Sequence, residues 1–136
     1  MVMLVSADEG RGNASGPGAR RRYLRTMRLL RHADFERVYQ RGRRHFSAHM
    51  TVFYLRREDV SSARVGYTVS RALGGAVDRN RMRRRLREAV RLSWSEMSGP
   101  FDIVINPKKS LLQAGFEELK KEVARAWEVV QRAKNP

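Results

Sequence analysis

The stretch Val77–Arg91, VDRNRMRRRLREAVR, holds Arg79, Arg81, Arg83, Arg84, Arg85, Arg87 and Arg91 around a single asparagine, Asn80. At about 100° per residue, Met82, Leu86, Ala89 and Val90 fall into one arc, which Ser93 and Met97 extend. Asn80, Arg83, Arg84, Arg87 and Arg91 fill the adjoining arc, and Arg81 and Arg85 the side opposite the apolar one. The pattern predicts an amphipathic helix lying on a core with a guanidinium face outward. Asp78 sits in its first turn, where a negative charge suits the helix dipole. Ser98, Gly99 and Pro100 are expected to end it. Like charges three and four residues apart oppose a helix by a few tenths of a kcal/mol per pair, roughly, and Glu88 alone does little to relieve them. A solvated charged face is the ordinary reading of mixed charge. A contiguous face this one-sided instead calls for a polyanion. Arginine rather than lysine sharpens the point, because a guanidinium fork grips phosphate bidentately and stacks on bases.

The rest of the composition agrees. The chain has 136 residues, enough for one modest domain, and a formal net charge of +15. A domain that basic generally meets nucleic acid or an anionic membrane. No run of about 18 apolar residues exists to cross a membrane. The opening MVMLV is too short for a signal-peptide core and has no basic region before it. Cysteine is absent, which excludes disulfides and thiolate metal sites. A cytoplasmic location fits.

Residues 1–28 form the expected tail: Ser6 to Arg22 are rich in Gly, Ser, Ala and Arg without apolar periodicity, and should be disordered in isolation. Arg20, Arg21 and Arg22 are either a further anion contact or a solvated cluster. The ordered domain is expected over 29–136. In HADFERVYQRG, Phe35, Val38 and Tyr39 recur at helical spacing, with Gly42 as the stop. Phe46 to Arg56 reads as one strand, with Thr51, Phe53 and Leu55 facing one way and Met50, Val52 and Tyr54 the other. Arg43 to Phe46 is a possible separate strand. Asp59 to Ala63 is a turn, Arg64 to Ser70 a strand, and Leu73 to Gly75 the loop into the arginine helix. Phe101 to Ile105, FDIVI, is a strand ended by Asn106 and Pro107. The last helix runs from about Gly115 to Arg132, with Phe116, Leu119, Val123, Ala126, Trp127 and Val130 as its buried stripe. The class is α+β: a small αβ sandwich, one mixed sheet of about four strands covered by helices.

Catalytic machinery is not evident. Leu73–Gly75 lacks the spacing of a phosphate loop. The acids are scattered and expected to pair with nearby basic residues, so no catalytic residue is assigned. His45 and His49 are four apart on one predicted strand face, with no third ligand nearby in sequence, so no protein metal site is expected. Phe35, Tyr39 and Phe53 either form a platform for unpaired bases beside a basic wall or simply build core.

Three segments together resemble a known family: DFERVYQRG at 34–42, RVGYTVSRALGGAVDRNRMRRRLRE at 64–88, and FDIVI followed by NP at 101–107. Their order and the RNR core are similar to the protein component of bacterial ribonuclease P, over most of the chain from Leu29 on. The resemblance implies an αβ sandwich in which the arginine helix joins parallel strands by a left-handed crossover, the rare hand. It implies a ribonucleoprotein endoribonuclease whose RNA subunit, with divalent ions such as Mg²⁺, removes the 5′ leader of precursor tRNA. The protein would bind that RNA through Arg79, Asn80, Arg81, Arg83, Arg84 and Arg87. It would hold the leader in a cleft with Phe35, Tyr39 and Phe53, and Ser70 and Arg71 match the family's small-plus-basic pair. Two positions depart from the pattern: Ala72 replaces a frequent basic residue, and Ala114 and Gly115 stand where Ser or Thr commonly caps the last helix.

The partners implied are the RNA subunit and precursor tRNA, with no membrane and no DNA. The alternative function is a non-enzymatic structural RNA binder of ribosomal type. A DNA-binding regulator fits less well, because a lone Asn80 among arginines favours backbone contact over base reading.

Overall fold

A computed structural model describes residues 2–6, 31–58 and 62–133. Its elements in chain order are β1 (Val2–Ser6), α1 (His32–Arg41), β2 (Arg43–Phe46), β3 (Met50–Arg56), β4 (Arg64–Ser70), α2 (Ala76–Ser93), β5 (Phe101–Pro107) and α3 (Phe116–Arg132). Short 3₁₀ turns lie at Arg71–Leu73, Trp94–Glu96 and Lys109–Gln113. The strands form one sheet in the order β1-β4-β5-β3-β2. β4 and β5 are parallel and joined through α2, and the other neighbours are antiparallel, so the sheet is mixed. The expected α+β sandwich is therefore present.

β5 is central because its sequence is. FDIVI is buried along its length, as an apolar run flanked on both edges and both faces must be. Phe101, Ile103 and Ile105 join Met50, Val52, Tyr54, Val65, Tyr67 and Val69 beneath α2 and α3 in the main core. α2 contributes Met82, Leu86, Ala89 and Val90, and α3 contributes Leu119, Val123, Ala126, Trp127 and Val130. These are the stripes that helical spacing predicts, except that Phe116 is only partly buried. Trp127 closes the core by donating its indole N–H to the Ser93 carbonyl at 3.1 Å.

The opposite sheet face carries a smaller core of Phe35, Val38, Leu55 and Val104 under α1, with Phe53 packed against it. Gly42 ends α1 in extended conformation. Glycine is needed there for close approach, since a Cβ would stand 2.5 Å from the carbonyl oxygens of both Tyr54 and Val38.

A buried ion cluster fastens α1 to the sheet. Asp102 on β5 is fully buried and takes Arg64 through a bidentate pair, Nε to Oδ1 and Nη2 to Oδ2, both at 2.7 Å. Arg57 bridges, donating to Asp102 Oδ2 at 2.7 Å and to Asp34 Oδ1 at 3.1 Å. Asp34 also accepts from Arg37 at 2.9 Å and from the Arg31 backbone N–H at 2.9 Å. Burial would raise the Asp34 carboxyl, but the Arg31 amide, the Arg64 charge and the Arg37 and Arg57 hydrogen bonds outweigh it and hold the group below its ordinary value. These partners include residues distant in sequence, not only the neighbours expected.

Four sequence expectations are corrected. Phe46–Arg56 is not one strand: β2 ends at Phe46, Ser47 N–H bonds the Met50 carbonyl at 2.9 Å, and β3 returns antiparallel. α2 ends at Ser93 rather than at Ser98, because the chain tightens into the Trp94–Glu96 turn. Order does not begin only near Leu29, since Val2–Ser6 pair with β4 as an edge strand of the mixed sheet. His45 and His49 do not share a strand, since the turn at Ser47–His49 separates them. The remainder of the predicted tail, with Arg20–Arg22, lies outside the described residues, as does most of the Asp59–Ala63 turn.

Replacing Asp102 by Asn strips Arg64 and Arg57 of their buried counter-charge and should cost about 3–5 kcal/mol, read as a lowered denaturation midpoint. Asp34 titrates lower folded than unfolded, so its contribution is complete above the ordinary carboxyl value of 3.8 and is lost as pH falls below it. Acid denaturation of an Asp34→Asn variant should accordingly show a shallower pH dependence in that window than the parent.

Candidate nucleic-acid interface

Two surfaces emerge, on opposite faces of the sheet. The first is α2. Gly74 adopts φ +145° in the loop before it and lies against the Asp78 side chain, so the Leu73–Gly75 turn needs glycine there. The arginines then divide into distinct roles. Arg79 is half-buried and donates Nε–H to the Gly74 carbonyl at 3.1 Å, tying the loop to the first helical turn. Arg85 reaches the carbonyls of Leu111, Leu112 and Ala114 at 2.7, 3.2 and 2.6 Å. It does not point freely away from the core as helical spacing suggested, but holds the 3₁₀ turn before α3. Arg91 pairs with Glu88. Asn80, Arg81 and Arg84 are exposed and make no bond to the described residues, whereas Arg83 and Arg87 are half-buried. The face that can meet a polyanion is therefore narrower than the count of arginines implies.

The second surface is the part of the α1 side that α1 leaves open. Strand register builds it in rows. Gly66, Val104, Phe53 and Arg44 are successive cross-strand partners, as are Asn106, Thr51 and Phe46. Tyr39 projects from α1 over both rows. Its ring meets Phe53 edge-to-face at 4.9 Å, and its hydroxyl bonds Thr68 Oγ1 at 2.6 Å and Asn106 Oδ1 at 3.1 Å. Burial pushes the Tyr39 phenol above its ordinary value against those two bonds, so it acts as a neutral hydrogen-bonding group. Phe46 is 65% exposed, and the Arg44 guanidinium lies 5.5 Å over its ring. The result is a shallow trough with aromatic edges, a hydroxyl and amide floor, and cations at its rim.

Of the predicted cleft residues, Tyr39 and Phe53 stand together at this surface. Phe35 is only 3% exposed and supports Phe53 from beneath as core. Ser70 caps the Arg71–Leu73 turn by accepting the Ala72 N–H at 3.1 Å, and Arg71 is exposed there without a partner among the described residues. The trough also holds Arg44, Phe46, Thr51, Thr68 and Asn106, which sequence reasoning did not assign. Period-two alternation carried through the β2–β3 hairpin would have found Phe46 opposite Thr51. No helix among the described residues is long and apolar enough to cross a membrane.

This combination of a small mixed αβ sandwich, an arginine helix and an aromatic trough defines a class of RNA-binding subunits. The family model for ribonuclease P matches residues 24–131. The chain is 47% identical over 88 residues to the ribonuclease P protein component of Oleidesulfovibrio alaskensis, covering 64% of this chain and 70% of that one. It is 36% identical over 104 residues to that of Symbiobacterium thermophilum, covering 76% and 90%. Solved RNase P proteins from Staphylococcus aureus (TM-score 0.65, 23% identity, 74% and 92% covered) and Thermotoga maritima (0.66, 23%, 78% and 97%) share the fold. The chain belongs to the bacterial ribonuclease P protein family, the protein subunit of a tRNA-processing ribonucleoprotein.

Arg85→Ala removes the donor to three carbonyls and should destabilise the fold by about 1–3 kcal/mol. Arg84→Ala should stay within about 0.5 kcal/mol of the parent. Thermal or denaturant melts of the two variants check the division.

Proposed function

We propose that the chain docks on the ribonuclease P RNA through Arg79, Asn80, Arg81, Arg83, Arg84 and Arg87, and receives the 5′ leader of precursor tRNA in the Tyr39–Phe53 trough. In this reading the RNA subunit breaks the phosphodiester bond with Mg²⁺, in the cytoplasm, and the protein aligns the substrate. The observation that carries it is the separation of the two surfaces. A guanidinium face suited to phosphate lies on one side of the sheet, and an aromatic trough suited to unpaired bases on the other. One chain can thus hold a structured RNA and a single strand together. Phe35 acts here as the support of Phe53, and Ser70 and Arg71 extend the trough toward α2.

Stacking and phosphate contact tolerate any sequence, so leader binding should show little base preference. Tyr39→Ala in the assembled ribonucleoprotein should weaken binding of leader-bearing substrate by about 1–3 kcal/mol per base unstacked. Binding of mature tRNA should be unchanged, and equal losses for both substrates would remove the trough assignment. If α2 neutralises about five phosphates, affinity for the RNA subunit should fall on the order of a hundredfold over a fourfold rise in salt. Arg84→Ala should reduce the salt slope by about one.

A further inference from the structure

At the end of the sheet away from the Asp102 cluster, the β2–β3 turn meets α3. There His49, Glu118 and Glu122 bring one ligand atom each to within 4.8 Å of one another. Glu118 and Glu122 stand four apart, which places both carboxylates on one helix face. Two like charges so placed repel, and neither is neutralised by a neighbouring arginine or lysine in the described hydrogen bonds and ion pairs. The group that faces both is His49: its Nε2 lies 3.0 Å from Glu118 Oε2 and 3.6 Å from Glu122 Oε2.

Two of the three ligands are oriented by a further contact. His49 Nδ1 is 2.8 Å from Ser110 Oγ, a contact that fixes the ring plane and keeps Nε2 directed at the carboxylates. Ser47 Oγ–H and the His49 backbone N–H donate to Glu122 Oε1 at 2.7 and 3.0 Å. They fix that carboxylate with its other oxygen turned inward. That oxygen, Oε2, is buried from solvent and has no hydrogen-bond partner. A buried anionic oxygen without a donor is costly, and a cation at the His49 side satisfies it. The Glu118 side chain is about half exposed, which leaves an open approach and room for a water.

We propose that His49 Nε2, Glu118 and Glu122 form a divalent-metal site of the Zn²⁺ type. One imidazole and two carboxylates with an open fourth position suit a borderline ion in tetrahedral geometry. The imidazole discriminates against Mg²⁺ and Ca²⁺, so this ion is chemically distinct from those that serve the RNA. Its role is to clamp. Lys108 already binds the same turn, Nζ to the Ser47 carbonyl and N–H to the His49 carbonyl, both at 2.9 Å. The metal would join that turn to α3 and so set β2, which carries Arg44 and Phe46 into the trough. The rival occupant is a proton: imidazolium bridging the two carboxylates would hold the same geometry with no metal.

The test uses the full untagged chain, freed of metal with a chelator, titrated with Zn²⁺ by calorimetry and with Co²⁺ by visible absorption. Expected are one tight equivalent, an intense visible Co²⁺ absorption of tetrahedral type, and a rise in Tm that the chelator reverses and Mg²⁺ does not reproduce. Glu118→Gln and His49→Gln should each weaken Zn²⁺ at least about tenfold. Glu118 is exposed, so Glu118→Gln should fold as the parent does even if His49→Gln does not. Zn²⁺ affinity unchanged in Glu118→Gln would mean an adventitious ion only. No stoichiometric binding by the parent would assign the cluster to the imidazolium bridge. Either result overturns the site.

Discussion

The carboxylate of Asp102, buried on the central strand, is the constraint on which the rest of the structure depends. A bare anion at that depth is untenable, and the chain answers with Arg64 from the parallel neighbour and Arg57 from just past β3. Arg57 then reaches Asp34, so the same cluster seats the first turn of α1 on the sheet. Pairing of this kind is more reliable as a fixer of position than as a source of net stability, because desolvation offsets most of the Coulombic gain. What it fixes here is coverage. α1 covers Val104 and Leu55 but leaves the Phe53 end of that row open, and only its Tyr39 side chain reaches the row of Asn106, Thr51 and Phe46. The exposed trough is the part of the sheet that α1 does not reach, and Tyr39 is its wall.

The arginines show the same division between building and binding. Arg64, Arg57 and Arg85 spend their donors on carboxylates and carbonyls within the fold, and Arg79 gives only its Nε–H to the Gly74 carbonyl. Arg81, Arg84 and Arg71 remain exposed. A guanidinium serves both ends, because it stays charged when buried and still offers a planar fork at the surface. A net charge of +15 therefore overstates the field available to RNA but not its sign.

The elements were legible in the sequence wherever one periodicity ruled. The stripes of α2 and α3 and the alternation of β3 each point to one buried face, and the apolar run of β5 to burial on both. The β2–β3 hairpin was not legible, because Ser47-Ala48-His49 offers no Gly, Pro, Asn or Asp and only Ser47 among the usual turn residues. Its reversal is held by Glu122 and Lys108, which arrive from far along the chain. The third ligand missing beside His49 in sequence was missing for the same reason. Phe35 and Tyr39 share a helix and a chemistry, yet one is core and one is surface. Spacing gives the face, and the edge of that face is set by how far the sheet extends beneath it. The arginine helix, by contrast, pointed through its composition to a polyanion, and its RNR core together with the segments at 34–42 and 101–107 carried the resemblance to the family.

The central claim is a division of labour in which the polypeptide grips and aligns while RNA cuts. Cleavage of a leader-bearing precursor tRNA at low Mg²⁺ measures it directly, with the chain alone, the cognate RNA alone, and both. The chain alone should leave the precursor intact, the RNA alone should cut slowly, and the pair should release the leader much faster. Correct processing by the nucleic-acid-free chain, or an RNA whose rate does not change on adding it, would contradict that division.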